Sequence, residues 1–470
     1  MEISSVGFKR CSLKKSDKIN FLIIMMLGIL VRVFFIFNIS CEPISDFSKY
    51  QTIATNIFMG RGHYYLGKPI AFQPMGYPCI LGCFYKLIGS NSIFLGKVLN
   101  VFLSSMTLVM ILFILLKLCN SKFTVYLSYI LITFIPNYIA YNNVLGSEIL
   151  ITFLLTVIIY LQLSSFNYKI RYSIIGIFIG IAALTKPFFL VYPILVSIIL
   201  WLKNKNIKYA AKLFCISSIF MCLVVAPWTY RNYKKFNSLI PVSYNGGYVL
   251  FINNNSNNKN GAWMPVADID VCEDLKNKFL KCNFKYRDSS KNEINQIMIN
   301  PTINKIFKSE SKKWILNHPL RFCKLGIIRL HNTFFSGAGD IYEWAMNSKK
   351  INTYSKFLKR NFIHSIFDKY IYILSFFGII YVIYNLKNIM VSLFKKELKI
   401  KYIISIPFFN IAYFVLIYFI FEGQPRYNFP MLFLFSICTV ICLRKIYIDI
   451  SKINLFRSDF FKTKKVKIQK

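Results

Sequence analysis

The chain has 470 residues, 55% of them hydrophobic and only 16% charged. Its apolar runs approach the roughly 18–20 residues that span a bilayer, which excludes a soluble multidomain protein and indicates an all-α polytopic membrane protein. Lys and Arg outnumber Asp and Glu by 58 to 19, but much of the excess sits in short loops and the tail, where topology requires it. No nucleic-acid module is visible, so nucleic acid is not an expected partner.

Ten spans are predicted, at 20–39, 94–117, 123–140, 146–163, 172–186, 187–202, 209–229, 366–386, 402–421 and 427–446. Basic residues orient them by the positive-inside rule. Lys9, Arg10, Lys14, Lys15 and Lys18 precede the first span. Alternate loops hold Lys117 and Lys122; Lys169 and Arg171; Lys203, Lys205 and Lys208; and Lys387, Lys395, Lys396, Lys399 and Lys401. These loops, both termini and the basic tail 447–470 are therefore expected in the cytoplasm. The first apolar segment is full length and lacks a small-residue cleavage site, so no cleavable signal peptide is expected.

The first outer loop, 40–93, reads as two juxtamembrane helices. Phe47, Tyr50, Ala54, Ile57 and Phe58 fall on one helical face, which Gly60 and Gly62 close. Residues 71–88 are apolar enough to invite an eleventh crossing, but that crossing would export every lysine-rich loop. Gly76–Ile88 is therefore predicted as a short helix against the membrane, ended by Gly89. The second outer region, 230–365, is long enough for a small folded domain of mixed structure. Its Asn-rich stretch, Asn253 to Asn260, reads as a mobile loop. Three parts follow: an N-terminal module 1–229, the outer region 230–365 and C-terminal spans 366–446. The cysteines lie mostly in apolar segments without metal-ligand spacing; only Cys272 and Cys282 share the large outer loop, where pairing stays open.

Acidic residues are the sharpest signal. Between Lys18 and Ala267 only Glu42, Asp46 and Glu148 occur, and all three fall on the expected outer face. Asp46 reads either as a helix N-cap or as a reactive carboxylate. Glu148 either sits comfortably at a helix N-terminus or orients an acceptor or a divalent metal beside Asp46. Glu42 reads as a solvated charge, and Glu422 as a candidate site contact at the outer end of a span. Lys186, Arg231 and Arg426 also stand at outer span ends, where snorkelling is the plain explanation and convergence on a phosphate the functional one. Arg32 is inside the first span, at a cost of roughly 2.5 kcal/mol or more at mid-depth, so it must face protein or a phosphate cavity. His63 reads as a structural loop residue rather than a metal ligand.

The motifs Asp46-x-x-x-Tyr50, Gly60-Arg61-Gly62-His63-Tyr64 and Gln73-Pro74-Met75-Gly76-Tyr77-Pro78 resemble the first outer loop of polyprenyl-phosphate-dependent GT-C glycosyltransferases. The nearest likeness is to glycosyltransferase family 39, bacterial relatives of protein O-mannosyltransferases and lipid A aminoarabinose transferases. Gly146-Ser147-Glu148, Leu184-Thr185-Lys186-Pro187, Pro227-Trp228-Thr229-Tyr230-Arg231-Asn232, Gly246-Gly247-Tyr248, Asn317-His318-Pro319 and Arg426-Tyr427 agree in order. Each is weak alone; the order over nearly the whole chain is what makes the likeness specific. Lys186 departs from it, since relatives commonly carry Arg there, and Glu148 stands where some carry Asp.

The resemblance implies a GT-C-like bundle of about ten transmembrane helices in the cell membrane. It implies inverting sugar transfer from a polyprenyl-phosphate donor to a glycan, lipid or protein acceptor of the cell envelope, on the outer face. Asp46 would be the base, with Glu148 beside it. Lys186, Arg231, Arg426 and Arg32 would hold the donor phosphate, and Tyr50, His63, Tyr427 and Glu422 would line the substrate site. An outward site itself argues for a lipid-linked donor, because nucleotide sugars are cytosolic. The sequence identifies no certain cofactor, leaves a divalent metal open, and names neither sugar nor acceptor. A flippase for lipid-linked saccharides is the alternative; it should carry charges near mid-membrane, whereas here the acids cluster at the rim. A structural subunit without activity is the third reading.

Overall fold

A computed structural model describes residues 13–287, 290–337, 339–348, 350, 352–395 and 398–468. Lys9, Arg10 and Lys396, used above to orient the chain, lie outside the described residues. From the N-terminus the helices are α1 (Lys15–Asn38), α2 (Ser45–Phe58), α3 (Gly76–Ile88), α4 (Ile93–Leu118), α5 (Lys122–Thr133), α6 (Pro136–Ala140), α7 (Ser147–Gln162), α8 (Tyr168–Thr185), α9 (Tyr192–Asn204) and α10 (Ile207–Phe236). They continue with α11 (Gly246–Asn253), α12 (Glu273–Lys281), α13 (Ser290–Ile299), α14 (Pro301–Asn317), α15 (Pro319–Phe334), α16 (Thr353–Leu358), α17 (Asn361–Phe394), α18 (Tyr402–Ile420) and α19 (Leu432–Ile468). The described residues contain a single hairpin, β1 (Tyr64–Tyr65) with β2 (Lys68–Pro69).

All ten expected spans are helical, and this is a multi-pass membrane protein. Among the described residues eight helices are long and apolar enough to cross a bilayer; Lys122–Thr133 and Pro136–Asn143 form an apolar pair bent by 50°, and Ser147–Leu163 is a shorter apolar helix. The bend falls at Pro136, whose ring removes an N–H from the ladder. Small residues set the helix spacing. A Cβ on Gly176 would stand 2.5 Å from the Ser217 carbonyl oxygen, and one on Gly180 would stand 2.6 Å from Val224, so α8 and α10 pack backbone to backbone.

The first loop folds as two helices, as its pattern predicts. Gly89 ends α3 in the left-handed region at φ 82°. Rather than resting on lipid alone, α3 buries Tyr77, Leu81 and Tyr85 and approaches α2 closely, with Gly82 against Ile57 and the Ala54 carbonyl. Gly76 sits so close to Thr185 that a Cβ would reach its backbone at 2.8 Å. This contact fixes the loop to the end of α8.

The 230–365 region is helical and shares a core with the first loop: Ile53, Ile70 and Phe72 pack with Tyr248, Phe251, Phe279 and Phe307. Its Asn-rich stretch corrects the mobile-loop expectation. Asn253, Asn254, Asn255 and Asn258 are buried. The Asn258 amide donates to the Ile252 and Ala262 carbonyls at 2.9 Å, and its oxygen accepts from Gly261 N–H at 2.7 Å. Arg329 adds bonds to the Asn253 carbonyl at 2.6 Å and to Asn254 Oδ1 at 2.7 Å. Asparagines that read as disorder by composition instead satisfy a turn's backbone. Cys272 and Cys282 flank the two ends of α12 and are free; ten residues of helical rise separate them by about 15 Å, beyond the reach of a disulfide.

Candidate active site

Asp46 is the second residue of α2, not its cap: Ile44 holds the N-cap position and no side chain caps the helix. Ser45 takes φ 51°, a conformation costing about 1–3 kcal/mol outside glycine, and turns the chain just before Asp46. The carboxylate is thereby free for longer-range partners. Its Oδ1 accepts from Gln73 Nε2 at 3.3 Å and faces Lys49 Nζ at 3.6 Å. Its Oδ2 accepts from Arg426 Nη2 at 3.2 Å. Burial pushes this carboxyl up, but the Arg426 and Lys49 charges outweigh it and hold the group below the usual carboxylate range. It is ionised at neutral pH, with 37% of its side chain still open.

Arg426 arrives from the far end of the chain, on the 3₁₀ turn Pro425–Met431 between α18 and α19. Three rings surround its guanidinium: Phe47 at 5.3 Å, Trp344 at 5.5 Å and Tyr427 at 5.3 Å. Stacking of this kind favours Arg over Lys.

A second pair lies alongside. Pro187 ends α8 and drives Lys186 to extended geometry, φ −139° and ψ 110°. Lys186 Nζ then reaches 3.7 Å from Glu148 Oε1 and 5.5 Å from the Tyr427 ring centroid. Glu148 is the second residue of α7, which follows Gly146, where a Cβ would meet Phe47 at 2.7 Å. Its Oε2 is buried without a partner. Tyr50 joins this group, edge-on to Tyr77 at 5.8 Å; burial, then Asp46 and Glu148, push its phenol well up.

Lys186 and Tyr427 also line a cavity of about 600 Å³, walled by apolar residues including Phe188, Leu239, Ile240 and Phe421, with Lys305 and Lys308 on its α14 side. Glu422 lines it as well. Tyr427 OH donates to Glu422 Oε2 at 2.8 Å, Gln424 Nε2 donates to its other oxygen, and burial raises this carboxyl.

Three sequence candidates go elsewhere. Arg231 donates to the Ile70 carbonyl at 2.9 Å and the His63 carbonyl at 3.0 Å, and stacks on Trp228 at 4.7 Å. Its fork is consumed in latching the β1–β2 hairpin to α10, not in holding an anion. His63 is the other half of that latch, not a substrate contact: it is buried, with Nδ1 3.1 Å from the Ile70 carbonyl. Burial and then Arg231 depress its imidazole to about 3. Arg32 is fully buried within the bundle, donating to Ser104 Oγ at 2.8 Å and to the Gly28 and Thr133 carbonyls. It faces protein, as the cost of a membrane charge demands, and not the cavity.

Sequence reasoning missed several neighbours. Gln73 was visible only as part of a motif, and Lys49 follows Asp46 by less than a turn. Trp344, Asp340 and Tyr141 carried no signal. Asp340 is buried and bonded to Tyr141 OH, and burial pushes its carboxyl up to about 7. As for a metal, no three His, Cys, Asp or Glu side chains converge to hold one among the described residues. Asp46 and Glu148 are instead matched by cations.

The fold has a solved counterpart. The archaeal oligosaccharyltransferase of Archaeoglobus fulgidus, with a tethered acceptor peptide containing the NVT sequon, aligns at a TM-score of 0.50 and 13% identity over 94% of this chain. The chain has the GT-C fold. It spans about half of that GT-C structure's length, 51%. A second GT-C structure, ArnT from Cupriavidus metallidurans bound to undecaprenyl phosphate, aligns at a TM-score of 0.43 and 9% identity, covering 91% of this chain and 78% of its own. No protein-family model and no curated protein matches the sequence.

Proposed function

We propose that this protein is a membrane glycosyltransferase that moves a sugar from a polyprenyl-phosphate carrier to an acceptor hydroxyl on the outer face of the cell membrane. The observation that carries the reading is one of placement. An ionised carboxylate, Asp46, is paired with Arg426, and Lys186, which faces Glu148, also lines an apolar cavity of about 600 Å³. An apolar cavity with cations at its wall suits a prenyl chain ending in phosphate. Lys186, Lys305 and Lys308 are the phosphate-facing groups in this reading, with Arg426 reaching the phosphate from its place beside Asp46. Glu422, Tyr427 and Tyr50 shape the sugar site.

The chemistry is a single displacement. The acceptor oxygen forms a bond to the anomeric carbon as the carbon–oxygen bond to phosphate breaks, and Asp46 takes the hydroxyl proton. The configuration inverts. Phosphate leaves as an anion, so the site needs positive charge rather than an acid. A carboxylate held below its usual range is a weak base, so proton transfer must accompany attack, when the hydroxyl becomes acidic. Drawing Arg426 towards the phosphate would make Asp46 more basic at that moment. Residues 1–229 would supply the base, 230–365 the cavity wall, and 366–446 the counter-cation.

Purified full-length protein in detergent, given polyprenyl-phosphate-linked sugars and envelope acceptors, should release polyprenyl phosphate, and the Asp46→Asn variant should not. No binding of undecaprenyl phosphate and no release by the wild type would overturn the reading.

A further inference from the structure

The segment 339–348 runs across the site between α15 and α16 and includes a short π-helical turn, Ile341–Ala345. Tyr342 OH ties it to the Leu358 carbonyl at 2.7 Å, and its other ties run to the N-terminal part of the chain. Asp340 bonds to Tyr141 OH. Asn143 Nδ2 donates to the Ala345 carbonyl at 3.3 Å, Cys41 Sγ to the Trp344 carbonyl at 3.0 Å, and Asn347 Nδ2 to the Glu42 carbonyl at 3.0 Å. Among these ties only Asp340 is a buried charge, and its Oδ1 has no partner. Tyr141 is fixed in turn, its ring 5.0 Å from Phe429 on the turn that carries Arg426.

The segment delivers one side chain to the site. Trp344 packs edge-on against Phe47, centroids 5.4 Å apart, and stands 5.5 Å from the Arg426 guanidinium carbon. Phe47 and Tyr427 bound the same guanidinium, and its Nε is buried without a hydrogen-bond partner. With so few polar ties, the direction of Arg426 is set by ring packing, and one of the three rings comes from the 339–348 segment.

We propose that Asp340 and Tyr141 are positioning residues, fastening the 339–348 segment so that Trp344 holds the Arg426 guanidinium towards Asp46. The part of the test that uses lipid phosphate rests on the function proposed above; the part that uses hydrogen exchange does not.

In full-length protein in detergent, Tyr141→Phe should raise amide exchange at least tenfold in 341–347 and also in 425–431. Faster exchange in 341–347 alone would overturn the link to Arg426. With undecaprenyl phosphate as the probe, Tyr141→Phe and Trp344→Ala should each weaken binding about tenfold, and the double variant should be no worse than Trp344→Ala alone, because one acts through the other. Multiplying effects would overturn the proposal. Asp340→Asn keeps an acceptor for Tyr141 and Trp344→Phe keeps a ring; both should bind within about threefold of wild type, and they serve if Tyr141→Phe fails to fold. A tenfold loss in both would also overturn it. If wild type binds no undecaprenyl phosphate, the functional reading fails while the exchange result still decides the positioning.

Discussion

Asp46 and Arg426 stand 380 residues apart in sequence and 3.2 Å apart in space. Neither is a cap or a snorkelling charge. Each answers the other's burial, and each has further neighbours, Lys49 and Gln73 for Asp46 and the Tyr427 ring for Arg426.

Replacing Asp46 by Asn should reduce transfer by about 10²–10⁴-fold, the range of a lost general base, with normal insertion and melting. Because Arg426 and Lys49 hold the carboxyl below its ordinary range, the base stays ionised as pH falls. Wild-type activity should therefore not decline on its account until the pH drops below about 4. A rate profile of purified protein checks both points; full activity of Asp46→Asn at equal protein level would sink the assignment.

Lys186 and Arg231 should separate. Lys186→Ala removes a cation from the cavity wall and should weaken lipid-phosphate binding about ten- to a hundredfold, the equivalent of 1.5–3 kcal/mol for a charge-assisted bond. Arg231→Ala should instead lower the melting temperature, since it strands the Ile70 and His63 carbonyls at about 1–3 kcal/mol each. Its folded fraction should bind donor normally. Titration of undecaprenyl phosphate alongside thermal melts tests the division.

His63 makes stability pH-dependent. Its folded pKa of about 3 lies below the usual imidazole value, so the folded state favours the neutral ring. That stability is complete above about pH 6.5 and is lost as pH falls towards 3, by about 1.4 kcal/mol per unit. Melts at pH 7.5, 6.5 and 5.5 should fall in wild type and stay flatter in His63→Phe, because Arg231 bonds the His63 backbone rather than its ring. Identical pH slopes would contradict the buried, neutral assignment.

Topology is open to direct labelling. On a cysteine-free background, a cysteine replacing exposed Lys312 on α14 should react with an impermeant maleimide from outside intact cells. One replacing Lys208 should react only after permeabilisation. The reverse pattern would remove the argument for an outward site.

The bundle was legible because span length, lysine alternation and helix-ending glycines are local. Gly76–Ile88 follows from its apolar run, its stop at Gly89 and the lysine alternation that rules out a crossing there, and the ten helical segments follow from apolar runs. Site residues divided by a different rule. Asp46, Glu148, Lys186 and Glu422 stood out as charges that an apolar chain has no other reason to keep. Arg231 and Arg32 met the same criterion, yet bond backbone carbonyls, because a buried cation can be satisfied by carbonyl oxygens that no sequence pattern marks. Asp340 and Trp344 were invisible for the opposite reason: their importance comes from the 339–348 segment crossing the site, a tertiary fact. Asn253–Asn260 misled by composition, since asparagine serves solvent-exposed and buried turns alike.

Asn260 is followed by Gly261, the dipeptide in which an asparagine most readily loses its side-chain amide, as the next backbone nitrogen closes onto it to form a succinimide. In the folded protein that nitrogen donates to Asn258 Oδ1 at 2.7 Å, and the Asn260 carbonyl accepts from Asn332 Nδ2 at 3.0 Å. Gly261 is held at φ 64° with Arg329 packed against it. The attacking atom is thus engaged and the backbone cannot swing. Conversion to aspartate or isoaspartate at position 260 should accumulate only in chains that have lost this turn, leaving a covalent record of time spent unfolded.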